Sequence, residues 1–363
     1  VELLVELGGA VQLLGDLDRG QPVVGEPHGL VMEPAVEIAL VLQERPGVVG
    51  PPPGPMVAGE QDIGVGREEL DGLVDVLAPT QGVAYLGPPG TFAEEALLSL
   101  AVADAGLDAR PLGSVAECFE AVRAGTVPEA LIPIENSIEG SVNQTLDLLF
   151  AAAGEVVIRA EVVHPIRHHL IARTAIRPED VEEIVSHPQA PPQCRVFLAA
   201  HAPSARIAAA NSTAEAVRTV SRAEGPIAAI GNLRAADLYG CEVIAADIED
   251  EPSNSTRFVL IGRELAPATG PGRFLTSAIS AIDRDRPGAL LAILQELAMR
   301  GVNLTKLESR PAKTGLGRYV FFLDIEGSRE RDLAVAAALK AIEEQGVAHV
   351  TLLGSYPAAA VPD

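Results

Sequence analysis

Val83-Ala84-Tyr85-Leu86-Gly87-Pro88-Pro89-Gly90-Thr91-Phe92 is the stretch on which the fold is read. Four apolar residues make a short buried strand, Gly-Pro-Pro-Gly turns the chain, and a helix begins near Thr91. Glycines there let backbone approach a ligand, and the first helical N–H groups can meet an anion. An ordinary strand–turn–helix with Thr91 as N-cap explains the same residues.

Downstream the rhythm repeats. Ser114 and Glu117 form a capping box ahead of a helix. Ala130–Ile134, Val156–Val163, Leu170–Ala172, Glu183–Ser186, Ala205–Ala209, Ile227–Ile230 and Val243–Ile248 read as strands, with helices between most of them. Such alternation implies an α/β fold with largely parallel sheets covered on both faces. A linker over residues 266–272 closes this region. Strand Phe274–Ile282, helix Pro287–Arg300, strands Val302–Ser309 and Arg318–Ile325, helix Glu330–Gln345 and strand Ala348–Leu353 follow. The order β-α-β-β-α-β is ferredoxin-like.

Upstream, residues 1–80 carry many acids, few bases and the run Pro51-Pro52-Pro53-Gly54-Pro55. They show no repeat and no site, and are expected to be a weakly structured extension.

The formal net charge of -23 makes nucleic acid and anionic membranes unfavourable partners, and an anionic substrate would need a locally favourable pocket. The only lysines are Lys306, Lys313 and Lys340, which excludes Schiff-base chemistry from the first three hundred residues. Cys118, Cys194 and Cys241 are far apart, without metal spacing, and read as reduced buried thiols. No apolar run reaches the roughly 18–20 residues of a spanning helix. The opening residues lack a secretory pattern, so the expected compartment is the cytoplasm. No metal or cofactor is expected. His164 and His168 would share a helical face, but Pro165 breaks that reading and no carboxylate pattern accompanies them.

Three further polar motifs stand at strand ends, where open α/β sheets bind ligands. Glu135-Asn136-Ser137 with Gly140 groups acid, amide and hydroxyl just past a buried strand; a capped turn is the plainer reading. Asn211-Ser212-Thr213 with Glu215 is a capping box that can also present N–H groups to a carboxylate. Asn254-Ser255-Thr256-Arg257-Phe258 precedes the apolar strand Val259–Ile261. There Arg257 is a candidate bidentate carboxylate clamp, Thr256 a proton donor or relay, and Phe258 a shield from water; an ordinary loop with an exposed arginine is the alternative.

Taken in order, these motifs resemble the prephenate dehydratase family, together with His187-Pro188-Gln189, Gln193-Cys194 and Ala235-Ala236-Asp237-Leu238-Tyr239-Gly240. Gly288-Ala289-Leu290, Asn303-Leu304 and Glu308-Ser309-Arg310-Pro311 resemble the phenylalanine-binding motifs of an ACT domain. The resemblance runs from about Val83 to Pro357 and leaves residues 1–80 outside it.

It implies a two-lobed catalytic domain like a periplasmic binding protein over residues 81–265, with the chain crossing near 164–170 and returning near 241–244. An ACT regulatory domain would occupy 273–357. It implies conversion of prephenate to phenylpyruvate with Thr256 and Arg257 catalytic. Thr91, Asn136, Ser137, Gly140, Ser212, Thr213, Asn254 and Phe258 would bind substrate. L-phenylalanine would be the effector of a homodimer or homotetramer. Arogenate dehydratase and a non-enzymatic two-lobed sensor are the competing readings.

Overall fold

In the computed structural model, residues 82–100, 107–282, 286–313 and 318–359 are described; the extension expected over residues 1–80 lies outside them. Strands β1 (Val83–Leu86), β2 (Ala109–Leu112) and β3 (Glu129–Asn136) pair in parallel. Helices α1 (Phe92–Leu100) and α2 (Val115–Arg123) connect them. Ser114 caps α2 by accepting from the Glu117 N–H, and the Glu117 carboxylate accepts from Ser114 and Gly113, which completes the box. A two-residue strand β4 (Gly140–Ser141) folds back on β3 and leads into α3 (Asn143–Ala151).

β5 (Val157–Pro165) then hands the chain to a second sheet. That sheet is built from β6 (His169–Ala172), β7 (Glu183–Ser186), β8 (Arg206–Ala209), β9 (Ile227–Gly231) and β10 (Glu242–Ala245), in the order β10-β6-β9-β7-β8. Its helices are α4 (Ala190–Gln193), α5 (Arg195–His201), α6 (Thr213–Val220) and α7 (Leu233–Tyr239). Residues 242–245 still pair with β6, so the return crossing falls over 246–254, later than expected. The returning strand β11 (Ser255–Gly262) inserts between β3 and β5, antiparallel to both. Both sheets are therefore mixed rather than largely parallel. A chain that leaves one sheet and comes back must supply strands of opposite sense to each.

The C-terminal module has the order β12 (Phe274–Ile282), α8 (Ala289–Ala298), β13 (Leu304–Pro311), β14 (Tyr319–Glu326), α9 (Leu333–Glu344) and β15 (Ala348–Pro357). Its antiparallel sheet runs β13-β14-β12-β15. One face is covered by α8 and α9 through Ile293, Leu297, Leu323, Ile325 and Leu339. The other packs Ile279, Val320, Phe322, Leu353 and Tyr356 into the same core as Ile158, Val259 and Ile261 of the first lobe. The approach is close: a Cβ added at Gly354 would overlap the Ile158 carbonyl. The C-terminal sheet is thus a third layer on the first lobe. None of the helices among the described residues is long and apolar enough to cross a membrane.

Candidate active site

Period-two alternation sorts the residues of β11. Phe258 and Leu260 join the core beneath α1, whereas Val259 and Ile261 join the core shared with the C-terminal sheet. Thr256 lies on the Phe258 side, and that side opens into a cavity of about 720 Å³. Thr91, Asn136, Gly140, Ser212, Thr213, Asn254, Thr256 and Phe258 all line it. The first residues of α1, α3, α4 and α6 do so as well, so free N–H groups gather around one space.

Asn136 fixes the state of Thr256. Its Oδ1 accepts from the Ile138 and Glu139 N–H groups at 3.0 and 2.9 Å, which leaves Nδ2 facing inward. Nδ2 donates to Asn254 Oδ1 at 2.8 Å and to Thr256 Oγ1 at 3.0 Å. Because Oγ1 accepts from Asn136, its own proton is free to point into the cavity. Asn254, itself buried, donates from Nδ2 to Gln193 Oε1 at 2.9 Å. His168 Nε2 reaches the same oxygen at 3.2 Å. An oxygen that accepts twice requires the proton on Nε2, so His168 Nδ1 carries a lone pair. That atom is buried without a partner among the described residues. Burial pushes the His168 pKa below its ordinary value, against the opposing pull of Gln193 and Glu249.

Arg257 is not where a substrate clamp would be. Next to Thr256 on a strand, it points to the opposite face and is absent from the cavity lining. Its Nε donates to Glu161 at 2.6 Å, Nη1 to Asp324 at 2.5 Å and Nη2 to the Tyr356 hydroxyl at 3.0 Å. Ser137 also lies outside the lining. It holds the loop by accepting from the Ser255 N–H at 3.0 Å and donating weakly to Asn254. Thr91 lines the cavity, but its hydroxyl is spent on the Leu86 carbonyl at 2.9 Å. Among the described residues the cavity wall has no lysine or arginine. Its acids are engaged. Glu215 accepts from the Asn211 amides, and Glu139 accepts from Gln189 and Gln193 across the cleft. The sequence sets His168 beside His164 and Gln193 in the Gln193-Cys194 motif but gives neither a place in the site, since the contacts that do so join residues 25 and 61 positions apart.

In the C-terminal module, Gly288 precedes α8 with φ of 82°, a conformation that suits glycine, and Ala289 and Leu290 open the helix. Asn303 stands before β13 and donates to Glu326, and Leu304 begins the strand. Alternation then splits the Glu308–Pro311 motif. Ser309 and Pro311 are on the exposed side, whereas Glu308 and Arg310 turn toward the first lobe. Arg310 donates to Asp147 and Asn143, and Glu308 meets the Ser141 hydroxyl at 3.3 Å. Lys306 bridges Ser141 and Glu135 at 3.1 and 2.8 Å. Glu308 and Arg310, which resemble part of an effector-binding motif, are held by these contacts within this chain. Among the described residues no cluster of three metal-ligating side chains occurs.

Residues 83–266 match the family described as prephenate dehydratase, and residues 284–344 match the ACT domain. The prephenate dehydratase of Mycolicibacterium vanbaalenii is 42% identical over 288 residues, covering 76% of this chain and 91% of that protein.

The chain belongs to the prephenate dehydratase family.

A bifunctional chorismate mutase/prephenate dehydratase from Neisseria gonorrhoeae is 36% identical over 96% of this chain and 93% of its own length. That likeness reaches into the first 80 residues, beyond the range of the motifs. Among solved structures, the prephenate dehydratase from Arthrobacter aurescens, in complex with L-Phe, is 36% identical. It covers 78% of this chain and 93% of its own, with a TM-score of 0.70. The family's two-lobed fold with a C-terminal ACT domain accounts for the three sheets.

Proposed function

We propose that this chain converts prephenate to phenylpyruvate, toward L-phenylalanine, and is feedback-regulated by L-phenylalanine through its ACT domain. The observation that carries the reading is the Thr256 hydroxyl, held as acceptor by Asn136 and so left as donor toward a cavity between two lobes.

The reaction breaks two bonds. The ring C–O bond cleaves and the hydroxyl leaves as water after taking a proton. The bond to the ring carboxylate cleaves, its electron pair enters the ring, and carbon dioxide departs. Aromatisation supplies the driving force. Thr256 donates the proton to the leaving hydroxyl. Charge that builds on Oγ1 is met by the Asn136 N–H already aimed at it, and solvent restores the proton. Since the lining offers no lysine or arginine among the described residues, the substrate carboxylates fall to the N–H groups at the starts of α1 and α6, with Ser212 and Thr213 beside them. Phe258 keeps water off the reacting face.

Residues 81–265 form the catalytic domain and 273–357 the ACT domain in this reading. Gly288, Ala289, Leu290, Asn303, Leu304, Ser309 and Pro311 receive phenylalanine where two subunits meet, in a cytoplasmic homodimer or homotetramer. The test is phenylpyruvate formation from prephenate, with and without phenylalanine, for the wild-type chain. Turnover of arogenate alone would change the substrate, and turnover of neither would refute the reading.

A further inference from the structure

Arg257 belongs to the same motif as Thr256, yet the cavity leaves it out. Its side chain sits in the seam between the first lobe and the C-terminal sheet, 13% exposed. There Glu161 of β5, Asp324 of β14 and Tyr356 of β15 surround it, all buried. Ser277 of β12 donates to Asp324 at 2.5 Å and accepts from the Tyr356 hydroxyl at 2.5 Å. Three strands of the C-terminal sheet thus converge on one guanidinium. Desolvation opposes its charge, but Tyr356, Asp324 and Glu161 outweigh it and hold the guanidinium firmly protonated. On the other side, Glu161 also accepts from the Ala359 N–H at 2.9 Å, which pins the tail of the module to β5.

We infer that Arg257 is a positioning residue, not a substrate contact: it ties the C-terminal sheet to β11 and so sets where the neighbouring Thr256 hydroxyl stands. The inference deepens the dehydratase reading and rests on it for its kinetic arm. The physical basis is adjacency. Thr256 and Arg257 share a peptide bond, so a shift of the guanidinium by its anchors turns the strand that aims Oγ1. A misplacement of an ångström or less is costly where a proton must pass. The C-terminal sheet then becomes part of the catalytic apparatus, although it contributes nothing to the cavity lining.

Tyr356→Phe and Asp324→Asn test this, because both remove anchors on the far side of β11 and keep the shape of the seam. Expected in each is a kcat about tenfold lower with KM within a factor of about two, as befits a loss felt only in the transition state. A merely structural clamp would lower Tm and leave the kcat of the folded enzyme at its wild-type value. Amide hydrogen exchange over residues 255–258 gives a readout independent of activity, and both variants should exchange faster there than wild type. Arg257→Lys, which can reach one anchor but not three, should lie between wild type and Arg257→Met. Wild-type kcat and exchange in Tyr356→Phe and Asp324→Asn, with KM raised only in Arg257→Met, would overturn the inference. If wild type makes no phenylpyruvate, the functional reading falls, and the exchange measurement still decides the positioning claim.

Discussion

Replacing Thr256 by valine removes one hydroxyl and nearly preserves shape, so its effects on stability and on chemistry can be separated. Thr256 is 9% exposed, and the substitution costs the folded chain the hydrogen bond from Asn136. Nδ2 keeps Asn254 Oδ1 at 2.8 Å and the Ser255 carbonyl at 3.2 Å, so it is not orphaned. The stability loss is therefore about 1 kcal/mol, or a Tm drop of about 2–4 °C for a domain of this size. Loss of a positioned proton donor is worth about 10²–10⁴-fold in kcat, which is roughly 2.7–5.4 kcal/mol of barrier. The chemical penalty thus exceeds the structural one several-fold. The assay follows phenylpyruvate formed from prephenate, with kcat and KM resolved. Thr256→Ser, which keeps the hydroxyl, should recover most of the rate. Asn136→Asp sharpens the argument. It retains the acceptor for Ile138 and Glu139 but turns the inward donor into an acceptor, which draws the Thr256 proton away from the cavity. It should lose as much kcat as Thr256→Val. A Thr256→Val enzyme with more than a tenth of wild-type kcat would refute the donor assignment.

The remaining expectations concern two buried histidines and the contacts of the C-terminal sheet with the first lobe. Burial lowers the pKa of His168 and His169 below 6.5. The unfolded chain therefore takes up protons first as pH falls, and stability drops from about pH 7 downward until the folded values are passed, by at most about 1.4 kcal/mol per pH unit for each group. Urea midpoints at pH 7.5 and 5.5 should differ less for His168→Gln than for wild type; an equal difference would remove His168 from that role. Lys306→Met cuts the bridge from β13 to Ser141 and Glu135 and should weaken inhibition by phenylalanine about threefold or more with little change in uninhibited kcat; an unchanged inhibition curve would exclude this contact from the coupling. Gly354→Ala drives a methyl into the Ile158 carbonyl and should cost about 2 kcal/mol or more of stability by overpacking. Wild-type Tm in that variant would mean that the two layers part without cost.

Local pattern carried much of the fold. The strand–turn–helix at 83–92, the capping boxes at Ser114 and Ser212, and the βαββαβ order of the last module appear in the structure close to where periodicity puts them. So do the turns that contribute Asn136, Gly140, Thr213 and Asn254 to the cavity. The misreading at Arg257 had a local cause. Residues 254–258 read as a polar motif ahead of the strand Val259–Ile261, whereas Ser255 already pairs with Pro165 and begins β11. In a loop, neighbours can converge on one ligand; in a strand, they point apart.

Sequence by itself determined the elements, their caps and the residue types able to bind an anion or pass a proton, because these depend on propensities and spacings within a few residues. Only the tertiary structure decided which face of β11 became a cavity and which became a seam, since that choice belongs to whatever packs on each side. The Asn136–Asn254 contact spans 118 positions, and Arg257 finds Tyr356 across 99. Partners at such distances meet only when two lobes and a third layer close on one sheet, and no local pattern encodes where that closure falls.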